Sequence, residues 1–320
     1  MASAKSIVIS GDLGSGKSTI SFQLADRLAL RRVSMGDIYR EIARSRELSA
    51  FELGVQAQRD EAIDDHIDRL QAEMARSDEN LIVDSRLAWH FFTDALKVHL
   101  VVDPYVAAQR VLSRPATSVE SYSSVTDAVE QLQGRSNGER MRFIRRYGID
   151  KARLRNYDVV CDTTSAPQDE ITNDIIAALD GALQPSIIRE SPPLLLIDPK
   201  RLYPTRDIRE PGNRPITSPA AENEKCTLDA IEPISVAYTG RYFYVVDGHR
   251  RLSTALHDQC TLIAGRLLAD DGENVVPGLT AQEYFESETG LSEIRAWEAA
   301  HGMELSLPPH LADSGRGSKI

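Results

Sequence analysis

The chain has 320 residues, of which 42% are hydrophobic and 27% charged, and its formal net charge is -11. This length is sufficient for two domains, and the hydrophobic fraction suits ordinary globular cores. The acidic balance argues against a general nucleic-acid-binding protein, and no apolar run approaches the ~20 residues of a membrane-spanning helix. Cys161, Cys226 and Cys260 have no metal-site spacing and predict reduced thiols in the cytoplasm.

The strongest local pattern is GDLGSGKS at residues 11–18, which follows the apolar run 7–9 and precedes a helical pattern at 20–25. This is the P-loop in the strand–loop–helix context that it requires. The glycines allow a tight turn whose amides face a phosphate, Lys17 can reach the β- and γ-phosphates, and the Ser18 hydroxyl suits Mg²⁺. We therefore expect ATP and Mg²⁺ as cofactors. The predicted cofactor-binding residues are Gly11, Gly14, Ser15, Gly16, Lys17, Ser18 and Thr19.

Strand and helix patterns alternate through the first 183 residues. The predicted strands are 7–10, 32–34, 81–83, 98–102 and 157–160. The predicted helices are 18–30, 37–44, 57–75, 105–113 and 168–183. Continuously apolar strands separated by helices predict an α/β fold, with a parallel P-loop sheet that helices cover on both faces.

A polar, arginine-rich helical stretch at 115–155 interrupts this alternation. One interpretation is a solvated helix face with ion pairs. The other is a helical lid that brings cations onto a transferring phosphoryl group. With the second interpretation, the candidate catalytic residues are Lys17, Arg86, Arg140 and Arg145.

Five further segments occur in an order that resembles one family. They are SMGDIYR at 34–40, IDDHIDRLQ at 63–71, DSRLA at 84–88, RRYGID at 145–150, and YDVV at 157–160 with Thr163 and Thr164. With the P-loop, they make residues 1–183 similar to the short, archaeal-type cytidylate kinases, a group of P-loop nucleoside monophosphate kinases. The resemblance implies ATP-dependent phosphorylation of CMP, dCMP or a modified cytidylate.

The same segments contain the candidate acceptor-binding residues, which are Ser34, Arg40, Asp64, Asp68, Gln71 and Arg86. The planar guanidinium groups of Arg40 and Arg86 suit a phosphate. Asp64, Asp68 and Gln71 are spaced to lie near one helical face, where a carboxylate can accept from the amine of cytosine. The acids are alternatively surface ion pairs, and Asp84, the candidate second metal ligand beside Ser18, is alternatively a capping residue.

Two departures from the family pattern leave the acceptor open. Asp12 and Leu13 stand in the P-loop where the family usually has proline or small residues, and bulky residues occupy 89–92. The acceptor is therefore an ordinary cytidylate, a modified cytidylate or a compound that is not a nucleotide.

The second half has a different pattern. A proline-rich linker at 184–193 precedes apolar strands at 194–197, 233–236 and 242–246, and a DGHRR turn then leads into a helix. These elements resemble the ParB/sulfiredoxin-like fold, which implies a nucleotide or phosphate site; some members phosphorylate free serine. The candidate second anion site comprises Asp247, Gly248, His249, Arg250 and Arg251, although the arginines are alternatively structural ion-pair partners.

The predicted domains are a cytidylate kinase-like P-loop domain at 1–183, the linker 184–193, a smaller α+β ParB/sulfiredoxin-like domain at 194–275, and a helical tail with a frayed end at 276–320. The short acidic tail predicts no DNA partner, since it has few cations for a phosphate backbone. The alternatives to a nucleoside monophosphate kinase are a free-serine-type kinase fused to a P-loop partner domain and a nucleotide-dependent switch.

Overall fold

The computed structural model describes residues 6–48, 52–53, 61–113, 122–180, 192–206 and 232–303. The strands of the first half are β1 (Ile7–Gly11), β2 (Arg31–Ser34), β3 (Leu81–Asp84), β4 (Leu96–Val101) and β5 (Val159–Asp162). Its helices are α1 (Lys17–Leu28), α2 (Met35–Ser45), α3 (Glu61–Ala75), α4 (Ala88–Phe91), α5 (Pro104–Leu112), α6 (Val125–Tyr147) and α7 (Gln168–Asp180).

The second half contributes the strands β6 (Leu194–Ile197), β7 (Leu202–Pro204), β8 (Ile234–Tyr238), β9 (Phe243–Asp247), β10 (Ile263–Ala269), β11 (Asn274–Val276) and β12 (Leu279–Thr280). Its helices are α8 (His249–His257), α9 (Ala281–Glu288) and α10 (Leu291–Ala300). Short 3₁₀ turns span Leu154–Asn156 and Pro199–Arg201.

Ten strands form one continuous sheet in the order β2-β3-β1-β4-β5-β6-β10-β8-β9-β7. Strand β10 runs antiparallel to β6, and β9 runs antiparallel to β8. The other neighbouring pairs in this sheet are parallel, including β5 and β6, where Val159 lies opposite Leu194. The prediction of an α/β fold with a mostly parallel sheet is confirmed.

Both faces of the sheet are buried, as the continuously apolar strands predict. Along β1, Ile7 and Ile9 pack with Ile20 of α1 and Ile171 of α7 in one core cluster. Val8, between them, points into the cluster on the opposite face. Successive side chains of a strand alternate between its faces, so a strand that is apolar at every position must have cover on both sides.

The sheet crosses the predicted domain boundary without interruption. Strand β6 pairs directly with β5, and one core cluster contains Leu154 and Val160 of the first half together with Leu195 and Phe243 of the second. Of the predicted linker, residues 184–191 lie outside the described residues. The domain limits stay a prediction, and the second half extends the kinase-like sheet.

The helix predicted over 57–75 is described from Glu61, and that over 168–183 is described to Asp180. The last predicted strand of the first half lies two residues later in the chain, at Val159–Asp162. Within the polar 115–155 stretch, the helix α6 runs for 23 residues and is named here the lid helix. Among the described helices, none combines the length and apolar character that crossing a bilayer requires.

The cysteines differ in state. Cys161 is a free thiol buried in β5, and burial raises its pKa. Cys260 is disulfide-bonded, so the prediction of three reduced thiols is wrong. Cys226 lies outside the described residues. The spacing of cysteines along the chain gives no information on whether one of them is oxidised.

Candidate active site

The P-loop joins the end of β1 to the start of α1. Gly14 has a φ of 81°, a left-handed conformation that glycine adopts without strain. A β-carbon at Gly14 would also lie 2.9 Å from the α-carbon of Ala107 in α5. Both restrictions explain the glycine at this position and the close packing of the loop on α5.

Lys17 lies against the first half of the loop. Its ammonium donates to the carbonyl oxygens of Gly11 at 2.6 Å and Asp12 at 2.7 Å. Burial, reinforced by the nearby Arg86 cation, lowers the pKa of Lys17 to about 7. A buried anion beside this lysine therefore stabilises its charged form, as a bound phosphate does.

The two predicted metal ligands meet at the start of α1. The Ser18 hydroxyl donates to a carboxylate oxygen of Asp84 at 3.2 Å, although these residues are 66 positions apart. Arg32 also donates to Asp84, at 3.0 Å. A hydroxyl and a carboxylate at a phosphate-binding loop fit Mg²⁺, which takes few protein ligands and completes its shell with phosphate oxygens and water. The bound ion would neutralise phosphate charge at this place.

A cavity of about 50 Å³ lies in front of the P-loop and is named here the P-loop cavity. Its lining comes from β1 and the P-loop, from β4, from Arg86, from the lid helix and the segment after it, and from β8. The lining residues are Ser10, Gly11, Asp12, Leu13, Arg86, His99, Val101, Ser136, Lys151, Ala152, Leu154 and Tyr238.

Three cations of the cavity region converge on one carboxylate, Glu139 of the lid helix. Arg86 forms an ion pair with Glu139, and Lys151 donates to it at 3.0 Å. Arg135, one helical turn earlier, lies 3.7 Å from it. Burial, with Arg86 nearby, lowers the pKa of Lys151 to about 7. This arrangement places the Arg86 and Lys151 cations, paired with Glu139, at the wall of the P-loop cavity.

The sequence placed Arg135 and Glu139 in the possible lid stretch without a role of their own, and it did not indicate Lys151. Arg135 and Glu139 have an i, i+4 spacing, which puts both on one face of the lid helix. Lys151 follows the helix, and no sequence pattern distinguished it from a surface lysine. Only the return of the chain over the P-loop brings it to the cavity.

The two predicted lid arginines lie elsewhere. Arg140 forms a double hydrogen bond with the Asp150 carboxylate, at 2.8 and 2.5 Å, and lies 3.7 Å from Asp271. Arg145 is exposed, and neither residue lines the P-loop cavity. The helical period turns positions 140 and 145 away from the face that carries Arg135 and Glu139.

Asp12, unusual in the loop, has a structural contact. Its carboxylate accepts from the backbone amide of Val102 at 3.2 Å, which ties the P-loop to the end of β4. His99 of β4 lies 4.0 Å from the other carboxylate oxygen and packs on Tyr157, with ring centroids 4.4 Å apart. Burial lowers the pKa of His99 to about 3, so it is neutral near pH 7.

Three of the six predicted acceptor-binding residues contact polar groups close to β2, α2 and the turn after β3. Ser34 caps α2 by accepting from the Asp37 amide at 3.2 Å, and Arg40 is exposed and pairs with Asp37. Gln71 is buried and accepts from the Ser85 hydroxyl at 2.8 Å. Gln71 thus supports the turn that carries Arg86, a contact that its helical position alone did not predict.

Asp64 and Asp68 face the lid helix. Asp64 lies 4.0 Å from Arg142, and Asp68 accepts from the Tyr147 hydroxyl at 2.8 Å. Burial, together with the Asp68 carboxylate, raises the pKa of Tyr147. The two carboxylates therefore lie between α3 and the lid helix, and not on an open surface.

The DGHRR turn forms the start of α8. Gly248 has a φ of 107°, and a β-carbon there would lie 2.6 Å from a methyl carbon of Ile234. The Arg251 guanidinium donates to the carbonyl oxygens of Glu232 at 3.0 Å and Pro233 at 2.9 Å. His249 contacts Thr205, whereas Arg250 and Asp247 are exposed. Arg251 thus has structural partners, and the cation that this turn presents to solvent is Arg250.

Comparison with known proteins assigns the first half. An AAA domain family model matches residues 7–133. The cytidylate kinase of Methanosarcina barkeri is 35% identical over 182 residues, which are 56% of this chain and 98% of that protein. The cytidylate kinase of Sulfurisphaera tokodaii is 34% identical over 183 residues, covering 57% of this chain and 98% of that protein.

Among solved structures, a shikimate kinase from Bacteroides thetaiotaomicron is similar with a TM-score of 0.41 and 14% identity, over 55% of this chain and 97% of that one. The family assignment rests on the near-complete coverage of the cytidylate kinases, together with the P-loop and the Ser18–Asp84 pair. The chain belongs to the cytidylate kinase family and is a phosphotransferase, a nucleoside monophosphate kinase that uses ATP and Mg²⁺.

Proposed function

We propose that the enzyme transfers the γ-phosphoryl group of ATP to CMP or dCMP, or to a modified cytidylate. The observation that carries this proposal is the P-loop cavity, which P-loop residues line together with Arg86 and Lys151. Phosphoryl transfer requires little covalent participation from the protein. It requires the donor and acceptor held in line and cations around the transferring group.

On the donor side, the P-loop amides and Lys17 would hold the phosphates, and Ser18 and Asp84 would hold Mg²⁺. On the acceptor side, Arg86 is the phosphate ligand, because it lines the cavity and its guanidinium pairs with Glu139, an anion that a phosphate can replace. Lys151 is a second cation at the same wall. A phosphate bound between these groups would compete with Glu139 for both cations.

Base selection is assigned to Asp64 and Asp68. Both carboxylates belong to α3 and are largely buried against the lid helix, with side chains 13% and 19% exposed. A carboxylate at the base edge accepts from the exocyclic amine of cytosine, whereas the oxygen of uracil at that position offers it no donor. The predicted preference is therefore for cytidylate over uridylate.

We propose that residues 1–183 and 194–275 are the two domains of the chain. The second domain would bind a nucleotide or phosphate in the manner of the ParB/sulfiredoxin-like proteins. The left-handed Gly248 at the start of α8 and the exposed Arg250 support this proposal. Free-serine phosphorylation at that turn is the alternative activity.

The test is a transfer assay with γ-labelled ATP and a panel of CMP, dCMP, UMP, AMP and free serine. We expect label on CMP or dCMP, and loss of at least 100-fold in kcat/KM for Lys17→Ala and Arg86→Ala, since each removes a cation from the transferring group. Arg250→Ala is the matched control and should retain transfer to cytidylate. If the wild-type enzyme transfers no label to CMP or dCMP, the unmodified cytidylates are refuted as acceptors. Serine phosphorylation that only Arg250→Ala abolishes would favour the alternative.

A further inference from the structure

The segment that carries Lys151 is held from two sides. On the kinase side, the backbone carbonyl of Lys151 accepts from the Tyr157 hydroxyl at 2.8 Å. Its neighbour Asp150 is held by the double hydrogen bond from Arg140. These contacts lie within the first half of the chain.

The other side comes from the second half, through the turn 270–273 between β10 and β11. Arg155 forms a double hydrogen bond with the Glu273 carboxylate, at 2.7 and 2.6 Å, and donates to the carbonyl of Leu268 at 3.1 Å. Arg153 donates to the carbonyl of Asp271. These two arginines follow Lys151 by two and four residues, so the turn binds the segment 150–155 directly.

The turn 270–273 is itself held by a network of hydrogen bonds. The carboxylate of Asp270 is buried and accepts from the backbone amides of Asp271 at 2.9 Å and Arg155 at 3.3 Å. Glu273 accepts from the Asp270 amide at 3.0 Å while it binds Arg155. An isolated, partly exposed ion pair contributes little, but here the paired groups share a network that includes buried backbone amides.

The second half also supplies part of the cavity wall. Tyr238, the last residue of β8, lines the P-loop cavity together with P-loop residues and packs on Phe243, with ring centroids 4.5 Å apart. The second half therefore reaches the proposed transfer site at two places, through a side chain in its wall and through the turn that binds the segment carrying Lys151.

We propose that Glu273 and the turn 270–273 are positioning elements for phosphoryl transfer, which hold Lys151 at the P-loop cavity through Arg153 and Arg155. The proposal rests on the proposed function for the role of Lys151. It gives the second half a part in the kinase reaction itself. A small displacement of a group that contacts the transition state lowers the rate steeply while binding of the remote parts of the substrate is preserved.

The test compares Glu273→Ala with Glu79→Ala in the full chain. Glu79 is the matched control, because it forms a similar double hydrogen bond with Arg31 at 2.6 and 2.7 Å, beside β2 and β3. We expect Glu273→Ala to lower kcat about 10-fold or more with less than a twofold change in KM for ATP, since the P-loop is untouched. Glu79→Ala should change neither parameter by more than twofold.

A second arm tests whether Glu273 acts through Lys151. If it does, Glu273→Ala added to Lys151→Ala lowers kcat no further, because the positioned group is already absent. An equal loss of kcat in both backgrounds would overturn the proposal. Glu273→Gln, which retains one acceptor oxygen, should give an intermediate kcat and provides a milder variant if the alanine variant does not fold.

A third arm does not depend on the acceptor. Hydrogen–deuterium exchange of peptides covering 148–156 should become at least 10-fold faster in Glu273→Ala and stay unchanged in Glu79→Ala. If exchange becomes faster but no cytidylate is phosphorylated, the turn does anchor the segment and only the proposed acceptor is wrong. The kcat comparison is then made with whichever panel compound accepts label. Unchanged exchange together with unchanged kcat would refute the anchor.

Discussion

The ion pair between Arg201 and Asp162 gives the most direct prediction about stability. The Arg201 guanidinium donates to the Asp162 carboxylate at 2.8 Å, and their side chains are 10% and 0% exposed. Asp162 ends β5 in the first half, whereas Arg201 follows β6 in the second. The pair therefore lies where the two halves of the sheet join.

The perturbation is Arg201→Met, which keeps the aliphatic length and removes the charge. Asp162 would retain its bonds from the Thr164 hydroxyl at 2.6 Å and the Asp198 amide at 3.3 Å, but no cation would balance it. Breaking a buried pair by removing one partner costs about 3–5 kcal/mol. Because this carboxylate has no exposed surface, we expect a loss in that range for the free energy of unfolding.

The assay is equilibrium urea unfolding followed by circular dichroism, with Arg31→Met as the control. Arg31 pairs with Glu79 on the surface, with side chains 56% and 48% exposed, and its loss should cost about 1 kcal/mol or less. The double variant Arg201→Met with Asp162→Asn should recover most of the loss, since it leaves no unpaired charge. A loss below about 1 kcal/mol for Arg201→Met would refute the reasoning, since it contradicts the stated cost of a buried unpaired charge.

Three further predictions concern the P-loop and its surroundings. His99 has a pKa of about 3 in the fold against 6.5 in the unfolded chain, so below pH 6.5 the unfolded state binds an extra proton. The free energy of unfolding therefore decreases as the pH falls below 6.5, by up to about 1.4 kcal/mol per pH unit. His99→Phe should flatten this decrease in urea titrations between about pH 6.5 and 5, and an equally steep decrease in the variant would contradict the prediction. Gly14→Ala should weaken ATP binding at least 10-fold in calorimetry because its methyl group meets Ala107, whereas Gly134→Ala, in open space on the lid helix, should leave affinity unchanged. Chelation of Mg²⁺ should abolish transfer and its re-addition should restore it; persistent transfer in excess chelator would show that the ion is dispensable.

The local chemistry of the P-loop was predictable from the sequence. The eight residues from Gly11 to Ser18 stand between an apolar strand and a helix, and the structure has the strand, the loop and the helix in that order. The strand–helix alternation likewise predicted a mostly parallel sheet, because apolar strands need cover on both faces. These properties depend on residues close together in the chain.

Residue roles that depend on long-range packing were predicted less well. Gln71 fits a base-reading face by helical spacing, but the fold buries it against Ser85. Arg140 resembles a lid cation, yet it pairs with Asp150, while Lys151 reaches the cavity. Spacing along a helix specifies which residues share a face, but the neighbouring elements determine what that face meets.

The sequence by itself determined the donor half of the site, since a phosphate-binding loop is built from backbone turns and adjacent side chains. Only the tertiary structure decided that the second half belongs to the same sheet and touches the same cavity. Strand β6 joins β5, and the turn 270–273 meets Arg153 and Arg155 more than 100 positions away. Contacts of that separation are set by the packing of whole elements, which no local pattern encodes.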